Sequence, residues 1–206
     1  MNQQLQGSDP IPSKSQIFSY HQYLLQRQVL ALTGKIRIYS PMNELLLYSE
    51  QKMFKLREDI RVYADERKRI ELLWIQARQI LDFAAAYDVI DSPSGIKVGA
   101  LRRKGFRSLA MDTWEILDPG DYVVGVIRED NLTKAMLRRL FLGSLLPQTY
   151  HLYLGEQEVA QFKQHFHLFR YEMGLDFSMD GAVILDKRLG LAAAILLGVI
   201  EGKQSG

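Results

Sequence analysis

The stretch LGLAAAILLGVI, Leu189 to Ile200, decides the fold. A helix that is apolar on every side is either a membrane span or part of a buried core. Twelve residues at about 1.5 Å each cover roughly 18 Å, well short of the roughly 30 Å of hydrocarbon that a span must cross. Charges stand immediately outside, at Asp186, Lys187 and Arg188 before it and Glu201 and Lys203 after it. A helix over Asp186 to Gly202 must therefore be surrounded by protein. Gly190, Ala192, Ala193, Ala194 and Gly198 make it a slender cylinder, the shape that fits where strands approach from all sides.

The rest of the chain supplies such strands. From about Tyr20 it breaks into short β-like runs separated by turn chemistry. Lys35 to Tyr39 and Glu44 to Tyr48 flank Ser40-Pro41-Met42-Asn43, and Asp59 to Tyr63 and Ile70 to Ile75 flank the charged run Ala64 to Arg69. Ala85 to Asp91 and Ile96 to Leu101 flank Ser92-Pro93-Ser94-Gly95; Thr113 to Leu117 and Tyr122 to Ile127 flank Asp118-Pro119-Gly120-Asp121. These are the residues that tight turns favour. Thr149 to Leu154 and Glu158 to Gln164 flank Gly155-Glu156-Gln157, and Phe169, Tyr171, Met173, Leu175 and Phe177 alternate strictly, a strong strand signal. With Gln22 to Ala31 added, the count approaches twelve, too many for a flat open sheet. The expected fold is mainly β: a closed antiparallel barrel of about twelve strands around a hydrophobic C-terminal central helix. One surface helix is added by Leu132, Met136, Leu137, Leu140 and Phe141, which recur at helical spacing after a capping Asn131.

With 206 residues, one domain is expected over residues 17–203, with a flexible N-terminal tail over 1–16 and a short C-terminal tail over 204–206. The 26 Lys and Arg nearly balance 24 Asp and Glu, so nothing demands nucleic acid as a partner. The absence of cysteine excludes disulfides, thiolate nucleophiles and thiolate metal sites. The start MNQQLQGSDPIPSKSQ lacks the basic and apolar regions of a signal peptide, and the expectation is a cytoplasmic protein, peripheral to a membrane where it binds one.

Four cations surround a glycine in Arg102-Arg103-Lys104-Gly105-Phe106-Arg107, an arrangement that suits an anionic headgroup. A solvated turn between two strands accounts for the same residues, since exposed charge in loops is ordinary. Lys134, Arg138 and Arg139 would extend a basic face from the surface helix, at about 1 kcal/mol per cation on an anionic membrane. His165 and His167 share a strand face and could join His151 at a metal, but no converging carboxylate is evident and no metal site is expected. Trp74 and Trp114 fall in strand patterns and are read as packing. Neither a Gly-rich phosphate loop nor a nucleophile elbow is present, so no catalytic residue and no cofactor is assigned.

The order of strands, the stretch YDVIDSPSGIKVGALRRKG from Tyr87 to Gly105, the strand TWEILD from Thr113 to Asp118 and the closing apolar helix resemble the tubby C-terminal-like superfamily. That superfamily includes the phospholipid scramblases and the LURP-one-related proteins, and the resemblance covers about residues 20–203. It implies a twelve-strand barrel enclosing a hydrophobic helix and recognition of anionic phospholipid. The expected function is that of a non-enzymatic binding or scaffold protein, with an anionic phospholipid or a protein as partner and no transmembrane span. The alternatives are a membrane-associated, scramblase-like lipid-translocating protein and an enzyme with a surface cleft.

Overall fold

Along β1 (Gln22–Gln28), buried Tyr23, Leu25 and Arg27 alternate with less buried neighbours, the period-two pattern of a sheet with one covered face. The same pattern recurs through the computed structural model, which describes residues 11–28, 33–52, 59–78, 86–104, 113–129, 147–165, 167 and 170–200. The following strands are β2 (Thr33–Tyr39), β3 (Leu45–Lys52), β4 (Ile60–Tyr63), β5 (Glu71–Ala77), β6 (Ala86–Asp91) and β7 (Ile96–Arg103). Then come β8 (Thr113–Leu117), β9 (Val123–Glu129), β10 (Thr149–Leu154), β11 (Gln157–His165) and β12 (Arg170–Asp176). A single helical turn, α1 (Lys14–Ile17), precedes them, and α2 (Lys187–Ile200) follows. Residues 14–16, inside the stretch expected as a tail, thus form most of α1. The surface helix expected after Asn131 lies outside the described residues.

Each strand pairs antiparallel with its neighbours in sequence, and β1 pairs with β12 from Gln22↔Asp176 to Gln28↔Arg170. The result is a closed twelve-strand barrel, and closure leaves no edge for another chain to extend. An up-and-down order gives the barrel two different rims. The connections 40–44, 64–70, 92–95, 118–122 and 155–156 and the loop 177–186 all fall at one end, the near rim. The opposite ends of the strands form the far rim.

Each near-rim connection contains one residue in the left-handed region: Asn43, Lys68, Gly95, Asp121 and Gly155 in the hairpins, and Val183 in the loop. Each of the five hairpins also shifts register close to its turn, for example between Ile38 and Tyr39 and between Leu152 and Tyr153. Such bulges bend a strand and increase its twist, which helps a sheet of this width curl shut.

Inward-facing residues such as Leu25, Ile38, Val89, Ile116, Leu152 and Met173 join α2 in one apolar cluster. Every residue from Leu189 to Val199 is buried, and α2 packs against β1, β2, β6, β7 and β12. Asp186 caps the helix: its carbonyl accepts from the amides of Leu189 and Gly190, and its Oδ1 accepts from the amide of Arg188. The small residues of α2 are not equivalent. A Cβ at Gly190 would stand 2.5 Å from Phe177 Cε1, whereas one at Gly198 would meet Leu25 Cδ2 at 3.4 Å. Gly190→Ala should therefore cost about 1–3 kcal/mol through overpacking. Gly198→Ala should be neutral or stabilising, because alanine favours a helix by about 1 kcal/mol over glycine. Thermal melts of the two variants check this, and equal shifts in the two would refute the tight fit at Gly190.

Candidate functional site

The cation run on β7 is divided by the strand itself. Arg102 lies opposite Glu115 on β8, and Arg103 lies opposite Trp114. On the outer wall, Arg102 Nε donates to Glu115 Oε2 at 2.7 Å, and Lys104 Nζ lies 2.8 Å from Glu115 Oε1. Burial alone would raise the pKa of Glu115, but hydrogen bonds from Lys104 and Arg102 outweigh it and hold the carboxyl below its usual value. Arg103 is on the other face, where its charge partly offsets the upward shift that burial gives the Tyr87 phenol. Two of the cations therefore share one carboxylate, and the three do not form a single cradle. Arg107, Lys134, Arg138 and Arg139 lie outside the described residues.

The histidines do not converge. His151 Nδ1 is 2.7 Å from Glu158 Oε1, whereas His165 and His167 are exposed at the far end of β11 and beyond it. Among the described residues, no group of three or more His, Asp or Glu side chains is placed to hold a metal. Trp114 is buried beside Tyr87; Trp74 lies on the wall with the Arg61 guanidinium 4.0 Å from its ring centre. The charged turn 64–70 is engaged in ion pairs, with Arg37 on Glu66, Lys68 on Glu50 and Arg69 on Asp65.

Sequence reasoning missed a second cluster, at the near rim. Asp91, at the end of β6, is only 1% exposed. Lys14 Nζ reaches its Oδ1 at 2.5 Å, Arg188 reaches the same oxygen at 3.2 Å, and the Ser94 hydroxyl donates to Oδ2 at 2.5 Å. Burial would raise the Asp91 pKa, but bonds from Lys14, Ser94 and Arg188 bring it down to about 2. One carboxylate thus ties α1, the β6–β7 hairpin and the start of α2 together. Lys187 Nζ adds bonds to the carbonyls of Ser19 and Tyr20, and Ile17 of α1 is fully buried, its carbonyl accepting from the Tyr23 hydroxyl at 3.1 Å. These residues are far apart in sequence, and no local motif announces them.

Beside this cluster a groove of about 850 Å³ runs between α1 and the segment 183–188. Among the described residues, the exposed large apolar side chains all lie at the near rim, in the turns bearing Met42, Ile70, Ile96 and Tyr122 and in the loop bearing Met179 and Val183. No helix among the described residues is long and apolar enough to cross a membrane.

A family model described as LURP-one-related matches residues 45–197, from β3 into α2. No curated protein and no solved structure shows a significant match.

Proposed function

Because the chain belongs to the LURP-one-related family, within the tubby-like superfamily, we propose that it is a non-enzymatic binding barrel whose far rim recognises anionic phospholipid headgroups. One observation carries this: the two segments that hold the cation runs of the sequence begin at the ends of β7 and β9, at the same rim and with only β8 between them. β7 ends at Arg103, which pairs with Trp114; β8 begins at Thr113, which pairs with Arg128 near the end of β9. The segment that includes Arg107 thus joins β7 to β8, and the one that includes Lys134, Arg138 and Arg139 leaves β9 at the same rim. Arg102 and Lys104 bracket Glu115 at this rim, and Arg103 lies beside them on the other face. We place α2 along the barrel axis as the scaffold that holds this rim, which accords with its burial on all sides.

Co-sedimentation with vesicles tests the far rim. Binding should be weak to phosphatidylcholine alone, strong when phosphatidylserine is included, and should fall as salt rises. Replacing Arg102, Arg103, Lys104 and Arg107 together by Gln keeps hydrogen-bond donors near Glu115. At about 1 kcal/mol per cation at an anionic surface, binding should drop at least tenfold; Glu115 loses both charged partners, so the melting temperature should fall, with the fold retained at the assay temperature. Unchanged binding by this variant would rule the far rim out as the lipid site.

A further inference from the structure

The near-rim groove is a different place with different chemistry. We propose that it binds a single-chain anionic amphiphile, a carboxylate or phosphate head on an acyl chain. The volume, about 850 Å³, is within the roughly 300–1,000 Å³ of small-molecule sites. Its apolar side is Phe18, Val183, Ile184 and Leu185, and its charged side is Lys14, Lys187 and Arg188 against Asp186.

Lys187 is the cation available to a ligand head. Lys14 is held by Asp91, and Arg188 by Asp186 and Asp91. Lys187 Nζ instead donates to two neutral acceptors, the carbonyls of Ser19 at 3.1 Å and Tyr20 at 2.7 Å. Among the described residues no carboxylate lies within ion-pair distance of it. An ammonium has three donors, so one hydrogen remains for an anion in the groove, while the charge of Asp180 acts on Lys187 only from beyond ion-pair distance. A lone phosphate would use that charge but not the apolar side.

The apolar lip is held out by design of the loop. Val183 has φ of 53° and is 67% exposed, a backbone state that a β-branched residue rarely adopts and that persists only where its surroundings impose it. Buried Asp180 imposes it, accepting from the amides of Ile184 and Leu185, both at 2.9 Å. The turn seats Leu185 in the core while Val183 and Ile184 face outward, so it presents two apolar side chains beside the groove. They suit contact with an apolar chain, and the charge of Lys187 beside the lip selects an anionic head.

Calorimetric titration of the full chain with dodecyl phosphate, below its micelle-forming concentration, tests the site. Inorganic phosphate and dodecyl maltoside should each bind at least tenfold more weakly, since each lacks one half of the match. Val183→Gly relaxes the strained backbone while removing the lip, so it should melt at the same or a higher temperature and bind dodecyl phosphate at least fivefold more weakly. Lys187→Met keeps the stem and removes the charge, and should erase the preference for dodecyl phosphate over the maltoside. Equal binding of inorganic phosphate would reduce the site to an anion patch, and equal binding of the maltoside to an apolar patch; either overturns the proposal. So would undiminished affinity in both variants, or binding to vesicles with none to the monomeric amphiphile. The far-rim quadruple variant should bind dodecyl phosphate normally, which keeps the two sites separable.

Discussion

Replacing Leu196 by Asp is expected to abolish cooperative folding. Leu196 is 1% exposed, in the middle of α2, with Ile195 and Leu197 equally buried on either side. The stretch belongs to the apolar cluster, so an introduced carboxylate would either remain charged in apolar surroundings or take up a proton there. An uncompensated buried charge costs several kcal/mol, which is comparable with the whole stability of a typical domain, about 5–15 kcal/mol. The packing lost with the leucine side chain adds about 2–5 kcal/mol. Circular dichroism melts should show no cooperative transition for Leu196→Asp, whereas Leu196→Met, which nearly conserves volume, should melt within a few degrees of the parent. A cooperative melt of the Asp variant at an unchanged temperature would mean that α2 is not buried in solution, and would also remove the scaffold on which the far-rim proposal stands.

The helix was legible because its sequence has no polar face, and the strands were legible because period two and turn chemistry coincide. The hairpin Ile96 to Arg103 against Thr113 to Leu117 illustrates the limit. The first strand was expected to end at Leu101 but runs on to Arg103, and the pairing of Arg102 with Glu115 depends on register across the two strands, where a shift by one residue would turn Glu115 to the other face. Consequently a run of cations that resembled one anion cradle in sequence is split between wall and interior in the fold. The near-rim cluster was illegible for a different reason. Lys14, Asp91 and Arg188 come from three segments that only barrel closure brings together, and each alone looks like an ordinary surface charge. The strain at Val183 likewise has no sequence signal, since a buried aspartate three residues earlier creates it.

Closure of the barrel also gives a reason for placing both proposed sites at the rims. The walls are fully paired, and their outward charges are largely engaged with one another: Arg78 and Lys97 bridge Asp88 and Asp121, and Arg61 pairs with Glu71 while covering Trp74. Ions already satisfied on a wall must exchange partners to bind a ligand, and exposed pairs of this kind contribute little either way. The near rim carries the left-handed backbone positions, the ammonium of Lys187 held by two backbone carbonyls, and the exposed apolar tips.

Acid should loosen the near rim before it unfolds the barrel, through Asp91. Its carboxyl titrates at about 2 in the folded protein against about 3.9 when unfolded. A depressed folded pKa stabilises the fold above the unfolded value, and this contribution is lost as pH falls from about 4 to about 2. Roughly 2–3 kcal/mol is involved, by proton linkage. Because the partners are Lys14 on α1 and Arg188 at the start of α2, the first consequence should be faster amide exchange in α1 and the first turn of α2, followed by a fall in melting temperature. Asp91→Asn keeps the shape and the bond to Ser94 but not the charge. It should be less stable than the parent at pH 7 by about the same amount, and it should flatten the stability profile between pH 4 and 2. If the Asn variant instead retains the full acid sensitivity of the parent over that interval, other carboxylates such as Glu115 and Asp88, which are also held below their usual values, govern it, and the link between α1, β6 and α2 contributes little to stability.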